Sequence, residues 1–369
     1  MTRIAIIGAG VVGAAIAYEL SLIPGLDIIL LDEQEPNTGS TGGALGVLAG
    51  VINRKGWTLR KASLERYETL IPELESRTGQ SIPYNRQGIL LLQSTETKKE
   101  LKKWNKLQRD RQDQGYQLER WNLEQLREKC PALALENVIS AIYSPQDRQV
   151  HPRILTESLI QVARLNAVEC QFGVSVELLT PQVFKHGEKD KIHLHQIQTS
   201  QGTISVDQVV ISAGIGSRGL TQSLGQPLDI RPVLGQALHL KLLQPLKNIE
   251  FQPIITSHDI HIIPLGSGEY WVGATIEFPS QEGEIYASAS LLERVLQQAI
   301  AVFPALNQAQ ILRSWSGKRP RPEAELAPVI RELEGYDNVL LATGHYRNGV
   351  LLAPATALVI KEKLLSLLT

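Results

Sequence analysis

The first residues in this 369-residue chain whose types and spacing could do chemistry are three glycines and an acid. Gly8, Gly10 and Gly13 form a Gly-x-Gly-x-x-Gly turn, and Asp32 follows on the far side of an apolar helix and strand. At such a turn the first glycine permits a tight bend, the second lets the backbone approach a pyrophosphate, and the third lets helix and strand pack closely. The N–H groups that open the helix then meet the phosphate charge, and the acid accepts hydrogen bonds from ribose hydroxyls. The chemistry expected here is dinucleotide binding.

A second small-residue stretch, Gly39-Ser-Thr-Gly-Gly-Ala-Leu-Gly46, offers further N–H groups and hydroxyls and reads as the opening of another helix. An extended FAD needs a second cradle of this kind, which favours FAD over a nicotinamide cofactor. Val206 to Gly214 reads as a strand running into a glycine turn that could approach the cofactor again. Near the C-terminus, the polar turn Thr343-Gly-His-Tyr-Arg-Asn-Gly349 precedes a long helix over 350–368. A helix N-terminus held against a flavin ring stabilises the negative charge that reduction develops near N1 and O2. His258 and His261 form a His-x-x-His, and His193 and His195 alternate on another segment, but neither pair has the spacing of a closed site, so no metal is expected.

These groups need a frame. Arg3 to Ile7 is a continuously apolar run of the kind buried on both faces of a parallel sheet, Ala14 to Leu20 is a strong helix former, and Ile28 to Leu31 is a second apolar strand ending in Asp32. Gly88 to Gln93 reads as a strand, and the highly charged 95–130 stretch as a solvated amphipathic helix hairpin. His151-Pro-Arg precedes a helix over 154–165, and a strand follows around 174–178. From Arg231 to about Thr275 the pattern is mostly β, with His258 to Ile263 and Tyr270 to Thr275 as paired strands of a cavity wall, and Tyr336 to Ala342 is a further strand. The fold class expected is α/β: a Rossmann-like FAD-binding domain assembled from residues 1–85, 145–225 and 320–369, with a second, β-rich substrate-binding domain from 86–144 and 226–319.

Composition narrows the partners. With 43% apolar residues the chain can bury a large core, and 37 Lys+Arg against 38 Asp+Glu give a formal charge of −1, so neither nucleic acid nor an anionic membrane is expected as a partner. The apolar run Ile4 to Ile23 is about bilayer length, yet Glu19 interrupts it and its three glycines weaken a continuous helix. Cys130 and Cys170 are far apart and lack a Cys-x-x-Cys spacing, which fits a reducing, cytoplasmic compartment. A homo-oligomer is left open.

The glycine turn, the 40–46 loop, Gly273-Ala-Thr275, Gly317-Lys-Arg319-Pro320 and Gly344-His-Tyr-Arg-Asn-Gly-Val-Leu-Leu-Ala-Pro354 together resemble the glycine oxidase branch of the D-amino-acid oxidase and sarcosine oxidase flavoproteins. The resemblance runs from Arg3 to the last helix. It implies that Val11, Val12, Asp32, Glu33, Ser40, Thr41, Gly46, Val47, Val176, His345, Tyr346, Arg347, Asn348, Gly349, Val350 and Leu351 hold FAD. It also implies that Arg319 clamps the substrate carboxylate, with Arg347 as a second arginine at the substrate end. A guanidinium suits that role because it grips a carboxylate through two parallel charge-assisted bonds and keeps its proton. The bland reading of Lys318-Arg-Pro-Arg-Pro is a solvated loop.

The sequence also departs from the pattern it resembles. His261 stands where that branch has a tyrosine, Asp259 where it has a histidine, and Ile276 where a methionine lines the pocket. On a strand, Asp259, His261 and Ile263 share a face, which puts His261 over the substrate as a group able to change charge near neutral pH. The reaction implied is oxidation of glycine or another small amino acid or amine beside its nitrogen, with O₂ as acceptor. Its products are an imine, then an oxoacid and ammonia, with hydrogen peroxide. If glycine is the substrate, the imine could feed thiazole synthesis for thiamine. A dehydrogenase passing electrons to a quinone or protein is the alternative; a NAD-dependent enzyme or a non-catalytic module would leave the second glycine loop and the C-terminal turn without a purpose.

Overall fold

The computed structural model describes residues 1–184, 191–244, 246, 250–280 and 283–368. Its first layer is a six-stranded sheet in the order Val329–Glu332, Val339–Thr343, Gln208–Ile211, Thr2–Ile7, Leu26–Asp32, Glu169–Phe172. All neighbours are parallel except the Val329–Glu332 edge. Ile4, Ala5 and Ile6 are fully buried, as a central strand covered on both faces requires. One face carries the helices Val11–Ser21, Trp57–Thr78, Pro152–Leu165 and Gly349–Leu368. The other carries a three-stranded antiparallel sheet, Val176–Phe184, Lys191–Thr199 and Gly202–Ser205.

Strand order fixes where a ligand can sit. Thr2–Ile7 has Leu26–Asp32 on one side and Gln208–Ile211 on the other, so the chain reverses direction across the sheet at this strand. Open parallel sheets leave a crevice beyond the carboxyl ends of their strands at such a point.

A second, eight-stranded sheet runs Gln310–Pro322, Ile230–Lys241, Glu269–Gly273, Ile260–Gly266, Ile254–Ser257, Ile89–Gln93, Ser140–Ser144, Glu119–Trp121. One face packs under the helices Ala289–Val302 and Leu123–Lys129, and Ile89, Ile254, Ile263 and Trp271 pack against Leu45 and Val47 on the other. Residues 245 and 247–249 of the expected β region lie outside the described residues.

Several expectations are corrected. The 39–46 loop opens no helix: it leads into the short strand Val47–Leu48, paired with Arg148–Val150, and the next helix begins at Trp57. The charged 95–130 stretch holds two helices, Lys98–Gln112 and Leu123–Lys129, with the edge strand Glu119–Trp121 between them. Each helix starts at a reciprocal cap, Thr97 with Glu100 and Asn122 with Gln125. His258 and Asp259 form the hairpin turn between Ile254–Ser257 and Ile260–Gly266, with His258 at φ 53°, so they do not continue the strand. The strand expected from Tyr336 begins at Val339. Arg319 lies within the 13-residue strand Gln310–Pro322, so the loop reading of its neighbourhood falls.

Glu19 shows what polar residues in the Ile4 to Ile23 run are for. Its carboxylate is buried in the Val11–Ser21 helix and accepts a 2.7 Å bond from Arg66 Nε on Trp57–Thr78. The same arginine grips Glu73, which takes the Tyr18 hydroxyl at 2.8 Å. A buried acid with such a partner locks two helices together, whereas in lipid it would be costly. No helix among the described residues is long and apolar enough to cross a membrane.

Candidate active site

A cavity of about 940 Å³ opens at the crevice that the strand order leaves. It is at the upper end of the roughly 300–1,000 Å³ usual for small-molecule sites. Its walls come from both sheets.

At one end the glycine turn bends as its composition requires. Gly8 adopts φ 107°, and a Cβ there would meet Ala213 Cα at 2.7 Å; a Cβ on Gly13 would lie 1.8 Å from Gly8 O. Gly13 therefore packs the helix on the turn and does not line the cavity. Gly8, Gly10, Val11 and Val12 do. Asp32 braces the same turn: its Oδ2 accepts from Ala9 N at 2.6 Å and its Oδ1 from Gln34 N at 3.0 Å. Asp32 and the exposed Glu33 both line the cavity, with lone pairs left for hydroxyl donors.

The 39–46 loop closes over this turn. Thr41 Oγ1 accepts from Val11 N at 3.0 Å, and Ser40 Oγ donates to Lys318 O at 2.6 Å, which ties the loop to the Gln310–Pro322 strand. Gly43 and Gly317 touch so closely that a Cβ on either would come within 2.8 Å of the other's Cα. Ser40, Thr41, Gly46, Val47, Val176 and Gly214 all line the cavity.

The C-terminal turn supplies a third wall. His345, Tyr346, Arg347, Gly349 and Val350 line the cavity, and the helix Gly349–Leu368 opens on it as Val11–Ser21 does. Tyr346 takes φ 52°, held there by a 3.0 Å bond from its N–H to Pro320 O. His345 is buried, shares a 2.9 Å bond with Thr356 Oγ1, and is pushed by that burial down to about 4. Besides Gly13, two expected residues, both in this C-terminal segment, do not line the cavity. Asn348 turns its side-chain oxygen to Arg60 Nη2 at 3.1 Å, and Leu351 sits in the helix core.

The third group of residues could handle an anionic substrate. Arg319 donates through Nη1 to Leu234 O at 3.0 Å and Thr275 O at 3.1 Å. Burial and the nearby Arg347 hold its pKa below the usual arginine value. Arg347 reaches Asp259 Oδ1 at 3.5 Å; the Asp259 side chain is largely solvated and that of Arg347 partly so. His261 lines the same wall, its Nδ1 2.9 Å from Thr256 Oγ1. Its expected titration near neutral pH is corrected: burial first, then Arg347, push it down to about 4, so the ring is neutral at physiological pH. Sequence reasoning named the stretches that hold Gly43 and Ser212 but missed Leu234 and Gly235 as lining residues. Nothing local distinguishes them from ordinary turn or strand residues.

Comparison with known proteins decides the family. The family described as DAO, FAD dependent oxidoreductase, matches residues 3–363. The chain belongs to this FAD-dependent oxidoreductase family. The flavoenzyme is 31% identical over 369 residues to the bifunctional protein ThiO/ThiG of Trichormus variabilis, covering 98% of this chain and 52% of that protein. It thus spans about half the length of these bifunctional relatives. It is 27% identical over 368 residues to glycine oxidase of Geobacillus kaustophilus, covering 97% of this chain and 92% of that one. The crystal structure of glycine oxidase from the same organism superposes with a TM-score of 0.84 at 25% identity, covering 99% and 95% of the two chains.

The cofactor of this flavoenzyme family is FAD, and the residues present fit it. Two helix N-termini face one cavity, at Val11 and at Gly349, which suits a pyrophosphate at one and a ring carrying negative charge at the other. Between them Gly8, Gly10, Gly43, Gly46 and Gly214 line the cavity with bare backbone, and a Cβ on Gly8, Gly43 or Gly46 would collide with neighbouring backbone.

Proposed function

We propose that the protein oxidises glycine or another small amino acid or amine at the carbon beside its nitrogen, with O₂ as acceptor, releasing hydrogen peroxide and an imine that water converts to an oxoacid and ammonia. The observation that carries this is Arg319, a guanidinium in the cavity wall with Nη1 fixed by two backbone carbonyls. Likeness to glycine oxidases over nearly the whole chain supports the substrate class.

FAD, when bound, would supply the redox chemistry, a two-electron oxidation of the substrate coupled to reduction of O₂. The chain's residues bind and orient. In this reading Gly8, Gly10, Val11, Val12, Ser40, Thr41, Gly46, Val47, Val176 and Gly214 hold the cofactor along its length, with Asp32 and Glu33 toward the ribose, and His345, Tyr346, Arg347, Gly349 and Val350 meet its far end. The residues 1–85, 145–225 and 320–369 form the cofactor domain, and 86–144 with 226–319 the substrate domain. Arg319 grips the substrate carboxylate by charge-assisted bonds, which fixes the reacting carbon. His261, neutral, offers a hydrogen bond without adding a third positive charge beside Arg319 and Arg347. Arg347, already facing Asp259, lies at the outer edge. The compartment is the cytoplasm.

Glycine oxidised in this way gives an imine that can serve thiamine thiazole synthesis, and the 31% identity to ThiO/ThiG proteins supports that place. The test is an anaerobic panel of glycine, sarcosine, D-amino acids and L-amino acids scored by bleaching of the flavin absorbance, then exposure to air. Bleaching by glycine or sarcosine and peroxide release under air are expected. Bleaching with no peroxide would replace the oxidase with a dehydrogenase, and no bleaching by any of these would overturn the substrate class.

A further inference from the structure

The Arg319 side chain reaches its place by lying across a glycine. Arg319 pairs with Val233 in the ladder between Gln310–Pro322 and Ile230–Lys241, and Gly317 pairs with Gly235. Gly235 is therefore the diagonal same-face neighbour of Arg319. A Cβ built on Gly235 would stand 2.0 Å from Arg319 Nη2, 2.3 Å from Cζ and 2.4 Å from Nη1. No van der Waals contact is that short, so the guanidinium lies flat on the bare backbone at this position and on no other residue type.

The anchors point the same way. Nη1 donates to the carbonyl of Leu234, the residue beside Gly235, and to that of Thr275. Thr275 is itself fixed: its N–H donates to Gln236 O, its Oγ1 accepts from Gln236 N at 2.7 Å, and its hydroxyl donates to the buried Glu277. Glu277 also accepts from Gln236 Nε2 at 2.9 Å and Ser288 N at 2.7 Å. Among the described residues no hydrogen bond of Arg319 runs through Nε or Nη2. The rigid backbone thus takes one nitrogen and leaves two, with three N–H donors, for a ligand.

We infer that Gly235 is a positioning residue for the substrate carboxylate: its missing side chain is what allows Arg319 to be held ready in the cavity. This rests on Arg319 being the carboxylate clamp. A side chain at 235 pushes the guanidinium off both carbonyl anchors, and the lost preorganisation weakens carboxylate binding.

The test compares Gly235→Ala, Arg319→Lys and the parent holoenzyme. Flavin content, the thermal midpoint, kcat and KM for glycine and for glycine ethyl ester, and the Kd of acetate by perturbation of flavin absorbance are measured. Gly235→Ala should keep its flavin while KM for glycine and Kd for acetate rise about tenfold to a hundredfold, as loss of charge-assisted bonds implies. Activity on the ester, which has no carboxylate, should change far less. A Gly235→Ala enzyme whose glycine-to-ester preference and acetate Kd match the parent overturns the inference. If Arg319→Lys is also unchanged in both, it is the clamp itself that fails. A stability cycle covers poor folding: in an Arg319→Ala background the added methyl meets no guanidinium, so Gly235→Ala should cost little further midpoint. An equal loss in both backgrounds places the clash elsewhere and overturns the inference.

Discussion

Arg319 and His261 show how a residue's role depends on what already holds it. Replacing Arg319 with Lys exchanges a fork for a point charge, losing a charge-assisted bond of about 1.5–3 kcal/mol. The expected outcome is a roughly tenfold to hundredfold fall in kcat/KM for carboxylated substrates at unchanged flavin content; unaltered kinetics would remove Arg319 from the site. His261→Tyr should change the ranking of substrates in the panel and leave the pH profile of KM above pH 6 as in the parent, because the parent ring is already neutral there. A pH profile that flattens in the variant would contradict the neutral imidazole. His345 gives the matching stability effect. Its folded pKa, about 4, lies below the ordinary histidine value, so between those values the unfolded chain binds a proton that the native one does not. Stability then falls as pH drops from about 6.5 toward 4, by at most about 1.4 kcal/mol per pH unit from this residue. Urea unfolding of the parent and His345→Gln across pH 5–7 checks it, and the variant should show the shallower loss.

At the scale of elements, the terminal helix carries a defect that its neighbour repairs. Pro354 has no N–H, so Val350 O loses its partner within Gly349–Leu368. Tyr67 Oη, one turn beyond Ser63 on Trp57–Thr78, donates to that carbonyl at 2.5 Å, and Ser63 Oγ accepts from Ala355 N at 3.2 Å. Tyr67→Phe should leave the carbonyl buried and unpaired at a cost of about 1–3 kcal/mol, read as a lower urea midpoint with the secondary structure intact. A midpoint equal to the parent's would mean that the Val350 carbonyl does not depend on this hydroxyl. Such pairings explain what the sequence could and could not disclose. The glycine turn, the apolar strands and the long last helix follow from local periodicity, and they placed much of the cavity wall. The hairpin turn at His258 and Asp259 was hidden because alternation ran through it, and no glycine marked the bend. The strand Glu119–Trp121 was hidden inside charged helical sequence, since its pairing with Ser140–Ser144 is non-local. Gly235 was invisible for the same reason: only the ladder register brings it under Arg319.

At the scale of the whole molecule, the cavity is where two sheets with separate cores meet. Ile7, Ala342 and Thr343 reach it from the six-stranded sheet, and Leu234, His261 and Arg319 from the eight-stranded one. A cofactor filling such a seam stabilises both sides together, because any ligand that binds only the folded state adds RT ln(1 + [L]/Kd), about 4 kcal/mol when free ligand is a thousand times Kd. Neither cysteine touches the seam: Cys130 lies in the core of the eight-stranded sheet and Cys170 against the helical face of the other, both as free thiols. Burial raises both thiols above the ordinary cysteine value, that of Cys130 to about 11, so neither is a thiolate ready to form a bond to flavin. FAD is therefore expected to be held without a covalent link. Denaturation and precipitation of the chain should leave the yellow colour in the supernatant, and flavin retained on the pellet would refute this. Flavin stripped by mild chaotrope and dialysis should lower the thermal midpoint, and added FAD should restore it in a concentration-dependent way. The loss should be felt in both cores, so near-ultraviolet signals from Trp271 in the second sheet's wall and amide exchange in Thr2–Ile7 of the first should loosen together. If only the glycine-turn sheet responds, the cofactor does not span the seam, and the placement of Arg319 and His261 beside it would have to be abandoned.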